Sequence, residues 1–124
     1  MLKKEYRLTR RNDFRRVYQK GKTAVNHCLV LYVTPSKNQN QKQRIGFSVS
    51  KKIGKAVIRN RIKRQMRAAA YALLPDFSAG KDYVFIARGA IRGKSYRDIE
   101  RQMAALLRKS KESKTTTTKV KIQK

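Results

Sequence analysis

Residues 51–67 read Lys-Lys-Ile-Gly-Lys-Ala-Val-Ile-Arg-Asn-Arg-Ile-Lys-Arg-Gln-Met-Arg, a run with eight cations, four of them arginines, and no acid. Its apolar residues nevertheless keep helical spacing. Ile58, Ile62 and Met66, continued by Ala69 and Leu73, form one stripe along a helix expected over about 55–74, which Pro75 ends. Such a helix must bury one side against a core and turn the rest toward something that tolerates unopposed positive charge. Arg59, Lys63 and Arg67 stack at i, i+4 and i+8 along the border of the stripe. Arg61 and Arg64 spread charge over the remaining arc, with Asn60 between two arginines. Lys51, Lys52 and Lys55 sit at the helix start, where the dipole favours acids, so this end is locally unfavourable until an anion arrives. Free amides at a helix N-terminus beside lysines make a phosphate cradle.

The positive field has almost no internal counter-charge. No acid occurs between Phe14 and Pro75, and the 124 residues carry 33 Lys and Arg against 7 Asp and Glu, a formal net charge of +26. Solubility asks for a magnitude of only about 2 to 8. Self-repulsion on this scale destabilises a compact chain and makes sense where a polyanion supplies the missing charge. A merely solvated helix face mixes lysine with glutamate, whereas this one has a single sign. Guanidinium forks suit phosphates and base edges, so nucleic acid is the expected partner. A membrane role would need a long amphipathic helix with a bulky apolar face, or an apolar span of about 20 residues, and the sequence has neither. Met1 to Glu5 lead into charge with no apolar signal region behind them, which points to the cytoplasm. Cys28 is the single cysteine, so an intrachain disulfide or thiolate cluster is excluded. Its apolar setting reads as a buried, reduced thiol.

One domain is expected over residues 1–109, with a small core. Asn12 or Asp13 can cap a short first helix that carries Phe14, Val17 and Tyr18 on one face and is closed by Gly21. Residues 28–34 read as a strand and 35–43 as a polar hairpin loop. Residues 44–50 read as a second strand, in which Ile45, Phe47 and Val49 alternate with Gly46, Ser48 and Ser50, giving a core face and a small, polar face. After a turn at Gly80, residues 82–88 are apolar enough for a central strand. Ser95, with Asp98 three residues on, starts a last amphipathic helix carrying Ile99, Met103, Leu106 and Leu107. Beyond Lys109 the composition collapses to Lys, Ser and Thr, and 110–124 is expected to be a disordered basic tail.

Cutting RNA by the protein itself would need carboxylates holding metals about 4 Å apart, or a histidine pair for acid and base work. The acids Glu5, Asp13, Asp76, Asp82, Asp98, Glu100 and Glu112 are scattered, and the nearest pair, Asp98 and Glu100, points apart on a helix. His27 is alone and reads as a loop or strand-edge residue. Ser48 and Lys51 make a Ser-x-x-Lys pattern, but it crosses a strand end among cations. No catalytic residue and no metal ligand set is expected.

The long stretch over residues 51–64, with Arg59-Asn60-Arg61 at its centre, closely resembles the arginine-asparagine-arginine motif of the protein subunit of bacterial ribonuclease P. Phe14 with Tyr18, Leu31-Tyr32, the Gly46-Phe47-Ser48-Val49-Ser50 strand and the 82–88 strand agree, over about residues 3–109. The resemblance implies an α+β domain of order α-β-β-β-α-β-α, helices on a central sheet as in one domain of a ribosomal protein. It also implies a left-handed βαβ crossover, against the usual rule, and a fourth strand around 22–25. It implies that Lys51, Lys52, Lys55, Arg59, Asn60, Arg61, Lys63, Arg64 and Arg67 meet the RNA subunit near its catalytic core. A separate cleft of Phe14, Tyr18 and Tyr32 would receive the 5′ leader of precursor tRNA. Tyr18 stands where the family commonly has Phe, which keeps the ring; His27 stands where it often has Arg. Catalysis and bound Mg2+ would belong to the RNA, with no membrane and no obligatory protein partner. On spacing alone, Phe14 and Tyr18 read as core rather than platform, and it is the resemblance that makes them a platform. The competing readings are a ribosomal or rRNA-chaperone protein, which would not need this ordered series of motifs, and a metal-dependent protein nuclease.

Overall fold

Three amphipathic helices and four short strands build a sheet with helices on both faces in the computed structural model, which describes residues 2–38 and 40–122, with side chains as far as Lys111. The elements are α1 (Arg11–Lys20), β1 (Lys22–Val25), β2 (Leu29–Pro35), β3 (Arg44–Ser48), α2 (Ala56–Ala72), β4 (Lys81–Ala87) and α3 (Tyr96–Ile122), the expected order. The sheet runs β1-β2-β4-β3. β1 and β4 are antiparallel to β2, while β3 and β4 are parallel neighbours joined through α2. β4 is thus central, as its apolar sequence predicts. Among the described residues no helix is long and apolar enough to cross a membrane.

The register sorts side chains by face. Lys22, Val33, Tyr83 and Ile45 form one row across the four strands, and Ala24, Leu31, Phe85 and Phe47 form the parallel row on the same face. α2 covers this face with Ile62, Met66, Ala69 and Ala70, and α3 covers it with Ile99, Met103, Leu106 and Leu107, in one continuous core. Ile58 and Leu73 pack at its margin, so the whole predicted stripe faces inward. Thr23, Tyr32, Val84 and Gly46 form a row on the other face, where α1 closes a smaller cluster of Leu8, Val17 and Val84.

Several local expectations are corrected. α1 starts after Arg10 with no side-chain cap; Asp13 is instead buried and turned toward cations. Gly21 closes α1 in extended conformation, where an added Cβ would meet the Val17 carbonyl oxygen at 2.5 Å. β3 ends at Ser48, and on its small face Gly46 is buried because Phe14 lies on it. Cys28 is fully buried, one residue ahead of β2, and burial pushes its thiol pKa up. Gly80 turns with φ 79°, the left-handed conformation that suits glycine. Ser95 does cap α3, its Oγ accepting the Asp98 N–H at 3.2 Å. The α3 backbone then continues to Ile122, through the segment whose composition suggests disorder; once a helix is anchored, each further residue adds a hydrogen bond without a new nucleation cost. Gln123 and Lys124 lie outside the described residues.

Candidate nucleic-acid interface

The start of α2 is set by a short 3-10 turn, Lys51–Ile53, which buries Ile53 and leaves Lys51 and Lys52 exposed. Lys55 occupies the N-cap position with no side-chain cap, so the first amides of α2 face outward beside lysines and no acid lies in the first turn. Arg59 folds back over this end, its Nε donating to the Gly54 carbonyl at 3.0 Å. From there the cations divide into two arcs. Arg59, Lys63 and Arg67 are half-buried along one flank, whereas Asn60, Arg61 and Arg64 are exposed on the outward side. That outward arc also carries Val57 and Tyr71, which are 76% and 51% exposed. Asn60 hydrogen-bonds to neither neighbouring arginine. Among the described residues none of these cations has an acidic partner.

The flank arc opens onto a second feature. Arg7, Lys63 and Arg67 line a concave space of about 280 Å3 whose other walls include Phe14, Ile45 and Phe47. Burial first, and then the charges of Arg7 and Arg64, push the Arg67 pKa down.

Phe14 links this space to an aromatic groove between α1 and the sheet. Tyr18, one turn along α1, has its ring 6.2 Å from Phe14 and 5.1 Å from Tyr32 of β2, edge-on to the latter. Tyr18 is 38% exposed and hydrogen-bonds with Ser48; burial raises its pKa in spite of that bond. Phe14 and Tyr32 pack on the Leu8–Val17–Val84 cluster and stay partly exposed, so these rings are both core and surface. Beside them Val30, Ile86 and Ser48 are half-exposed, and the exposed Val25 extends their row to the sheet edge. His27 is exposed at the tip of the β1–β2 hairpin.

What fixes α1 over the sheet escaped sequence reasoning. Asp82, with no exposed surface, accepts hydrogen bonds from Arg44 Nη2 at 2.9 Å, Arg44 Nε at 3.1 Å and Ser36 Oγ at 3.0 Å, and from Arg16 of α1. Asp13 completes the network at 3.7 Å from Arg16 and 3.6 Å from Arg44. Burial alone would raise the Asp82 pKa, but the hydrogen bonds from Arg44 and Arg16 outweigh it and hold the carboxyl below its ordinary value. The only hint in the sequence was that Asp13 and Asp82 bracket the acid-poor half with arginines nearby. The cost to the surface is that two of the seven acids are spent inside. Among the described residues no three His, Cys, Asp or Glu side chains gather to hold a metal ion.

Comparison with known proteins identifies the family. The family model described as Ribonuclease P matches residues 2–111. The chain is 41% identical over 109 residues to the ribonuclease P protein component of Geobacillus kaustophilus, covering 88% of this chain and 89% of that one. It is 44% identical over 108 residues to that of Clostridium botulinum, covering 86% and 96%. The solved RNase P protein of Staphylococcus aureus matches with a TM-score of 0.75 at 34% identity, over 86% of this chain and 95% of that one. That of Thermotoga maritima matches with a TM-score of 0.74 at 26% identity, over 83% and 96%. By motif, fold and similarity over most of its length, the chain belongs to the ribonuclease P protein component family, the protein subunits of the endoribonuclease that processes tRNA 5′ ends.

Proposed function

We propose that this chain serves ribonuclease P through two adjoining RNA surfaces. Lys51, Lys52, Lys55, Arg59, Asn60, Arg61, Lys63, Arg64 and Arg67 lie against the RNA subunit, and the groove of Phe14, Tyr18 and Tyr32 receives the 5′ leader of precursor tRNA. One observation carries the reading: Phe14 belongs both to the aromatic groove and to the space lined by Arg7, Lys63 and Arg67. A single strand stacked on the rings can therefore pass its phosphates directly to cations, with no acid between. Stacking plus backbone charge tolerates sequence variety, as an enzyme processing many precursors requires.

In this reading the protein binds and orients, and the RNA carries out the hydrolysis. Asp13 and Asp82, the acids that the fold brings together, are engaged by Arg16 and Arg44, a poor donor set for a divalent cation. Mg2+ is accordingly assigned to the RNA subunit and to no residue of this chain. The protein screens charge between RNA strands, positions the leader and raises the apparent affinity for metal. We place the assembly in the cytoplasm and assign no protein partner. Protein freed of RNA and repurified should leave precursor tRNA uncut, yet restore cleavage by the RNA subunit at low magnesium. Turnover by the RNA-free protein that survives further nuclease treatment would overturn the assignment of catalysis. For the groove, Tyr32→Ala should weaken leader-bearing precursor by about 1 to 3 kcal/mol per stacked base and leave mature tRNA affinity nearly unchanged.

A further inference from the structure

The outward side of α2 carries more than charge. At about 100° per residue, Val57, Arg64 and Tyr71 fall on one line, successive members about 10 Å apart along the axis and all within about 20° of the direction opposite the buried Ile62 and Met66. Val57 and Tyr71 are exposed large apolar side chains, and the exposed Asn60 and Arg61 lie on either side of the line. Tyr71 is the one bulky residue in a run of alanines, with Ala68, Ala69 and Ala70 before it and Ala72 after it. Among the described residues its ring has no aromatic, cation–π or hydrogen-bond contact. The helix gains nothing from that ring, since alanine is the better helix former and the ring faces away from the core. α2 contains no acid, so Arg61 and Arg64 stand unopposed beside it.

A solvent-facing ring set among unopposed guanidinium groups is matched by a nucleotide, which brings a flat aromatic face and a phosphate together. A second copy of this chain fits poorly: an antiparallel pairing about the line would lay Val57 against Tyr71 but Arg64 against Arg64, with no acid on either helix. An acidic peptide would answer the arginines and leave the ring uncovered. We propose that Tyr71 stacks on an unpaired base of the ribonuclease P RNA subunit, with Arg61 and Arg64 on the phosphates beside it. This contact rests on the placement of α2 against the RNA subunit proposed above, and it differs in kind from the others there. Charge holds the helix anywhere along an RNA backbone, whereas a ring needs a base that is free to stack. Tyr71 is thus a positioning residue that sets where on the RNA the helix docks.

The test titrates the RNA subunit with the full chain at several salt concentrations. Tyr71→Ala should weaken binding about five- to a hundredfold at every salt concentration, without changing the slope of log affinity against log salt. Tyr71→Phe keeps the ring and should bind within about twofold of the wild type. Arg61→Ala should also weaken binding, but it should reduce the steepness of that slope by about one. A photo-crosslinking side chain in place of Tyr71 should capture an unpaired nucleotide of the RNA subunit. A folded Tyr71→Ala that binds as the wild type does, while Arg61→Ala loses affinity, would overturn the stacking contact and leave α2 assigned to the RNA subunit; if both variants bind as the wild type does, that assignment falls as well. A loss in Tyr71→Phe as large as in Tyr71→Ala would replace stacking by a hydroxyl contact, and wild-type dimers that Tyr71→Ala abolishes would give the line to a second copy; either overturns the proposal. Should a thermal melt show Tyr71→Ala unfolded, Tyr71→Phe and the crosslinked nucleotide decide it.

Discussion

Gly46→Ala separates the groove from the fold that carries it. Gly46 has no positive φ, so alanine meets no backbone strain; the difficulty is space. A Cβ at this position lies 2.6 Å from Phe14 Cζ, 3.0 Å from Phe14 Cε1 and 3.2 Å from the Leu8 carbonyl oxygen. Carbon atoms rest at about 3.5 to 4.0 Å, so the Phe14 ring must withdraw by about 1 Å, while the Leu8 backbone has only a little to give. A half-buried ring can swing, and the folding cost should fall at the low end of the about 1 to 3 kcal/mol typical of overpacking. The ring leaves its place beside Tyr18, however, and a lost platform costs about 1 to 3 kcal/mol per base. The assay pairs thermal melts with titrations of precursor tRNA bearing a leader and of mature tRNA. Gly46→Ala should stay folded, lose affinity for the leader-bearing RNA and keep its affinity for mature tRNA. In a Phe14→Ala background the same substitution should add less than about 0.5 kcal/mol, because the two ring atoms that clash most are gone and only the 3.2 Å approach to the Leu8 carbonyl oxygen remains. Additive penalties, or a folded Gly46→Ala that discriminates leader from no leader as the wild type does, would refute the reasoning.

Arg61→Ala, on the exposed arc, should weaken the RNA subunit by about 1 to 3 kcal/mol with an unchanged circular dichroism spectrum, whereas Ile62→Asp, one residue on and buried, should unfold the domain. Asp82→Asn should cost about 3 to 5 kcal/mol of stability, nearer the lower figure because Asp13 still faces both arginines; urea melts measure it. Because the folded pKa of Asp82 is depressed, its contribution is present above the ordinary aspartate pKa and lost as pH falls through the folded value, so the acid limb of a stability-against-pH curve should flatten in Asp82→Asn. A chain ending at Lys111 should melt within about 0.5 kcal/mol of the full chain, since among the described side chains the last buried one is Leu107; a larger loss would mean that the domain extends beyond its expected boundary near residue 109.

The parts of this protein legible in sequence are those set by short-range periodicity. The stripe from Ile58 to Leu73 and the cations beside it lie on one helix, so 3.6-residue spacing alone assigns their faces, and Ser95 announces α3 because a cap acts within one turn. β1 left almost no trace: Lys22, Thr23, Ala24 and Val25 offer little apolar alternation, and its pairing with β2 is what makes it a strand. The nine basic-run residues and the three rings were likewise identifiable from local motifs, but whether Phe14 and Tyr18 were core or surface was not. Packing on Val84 with an edge left to solvent decided that they are both. The Asp13–Arg16–Arg44–Asp82 network pairs Arg16 with an acid 66 positions away. No local rule brings such groups together, because spacing along a chain determines only which side of an element a residue occupies. Which side chain it meets depends on how sheet register and helix packing close the loops between them, and there the tertiary structure turned scattered charges into an internal clamp and set a basic helix flank beside an aromatic groove.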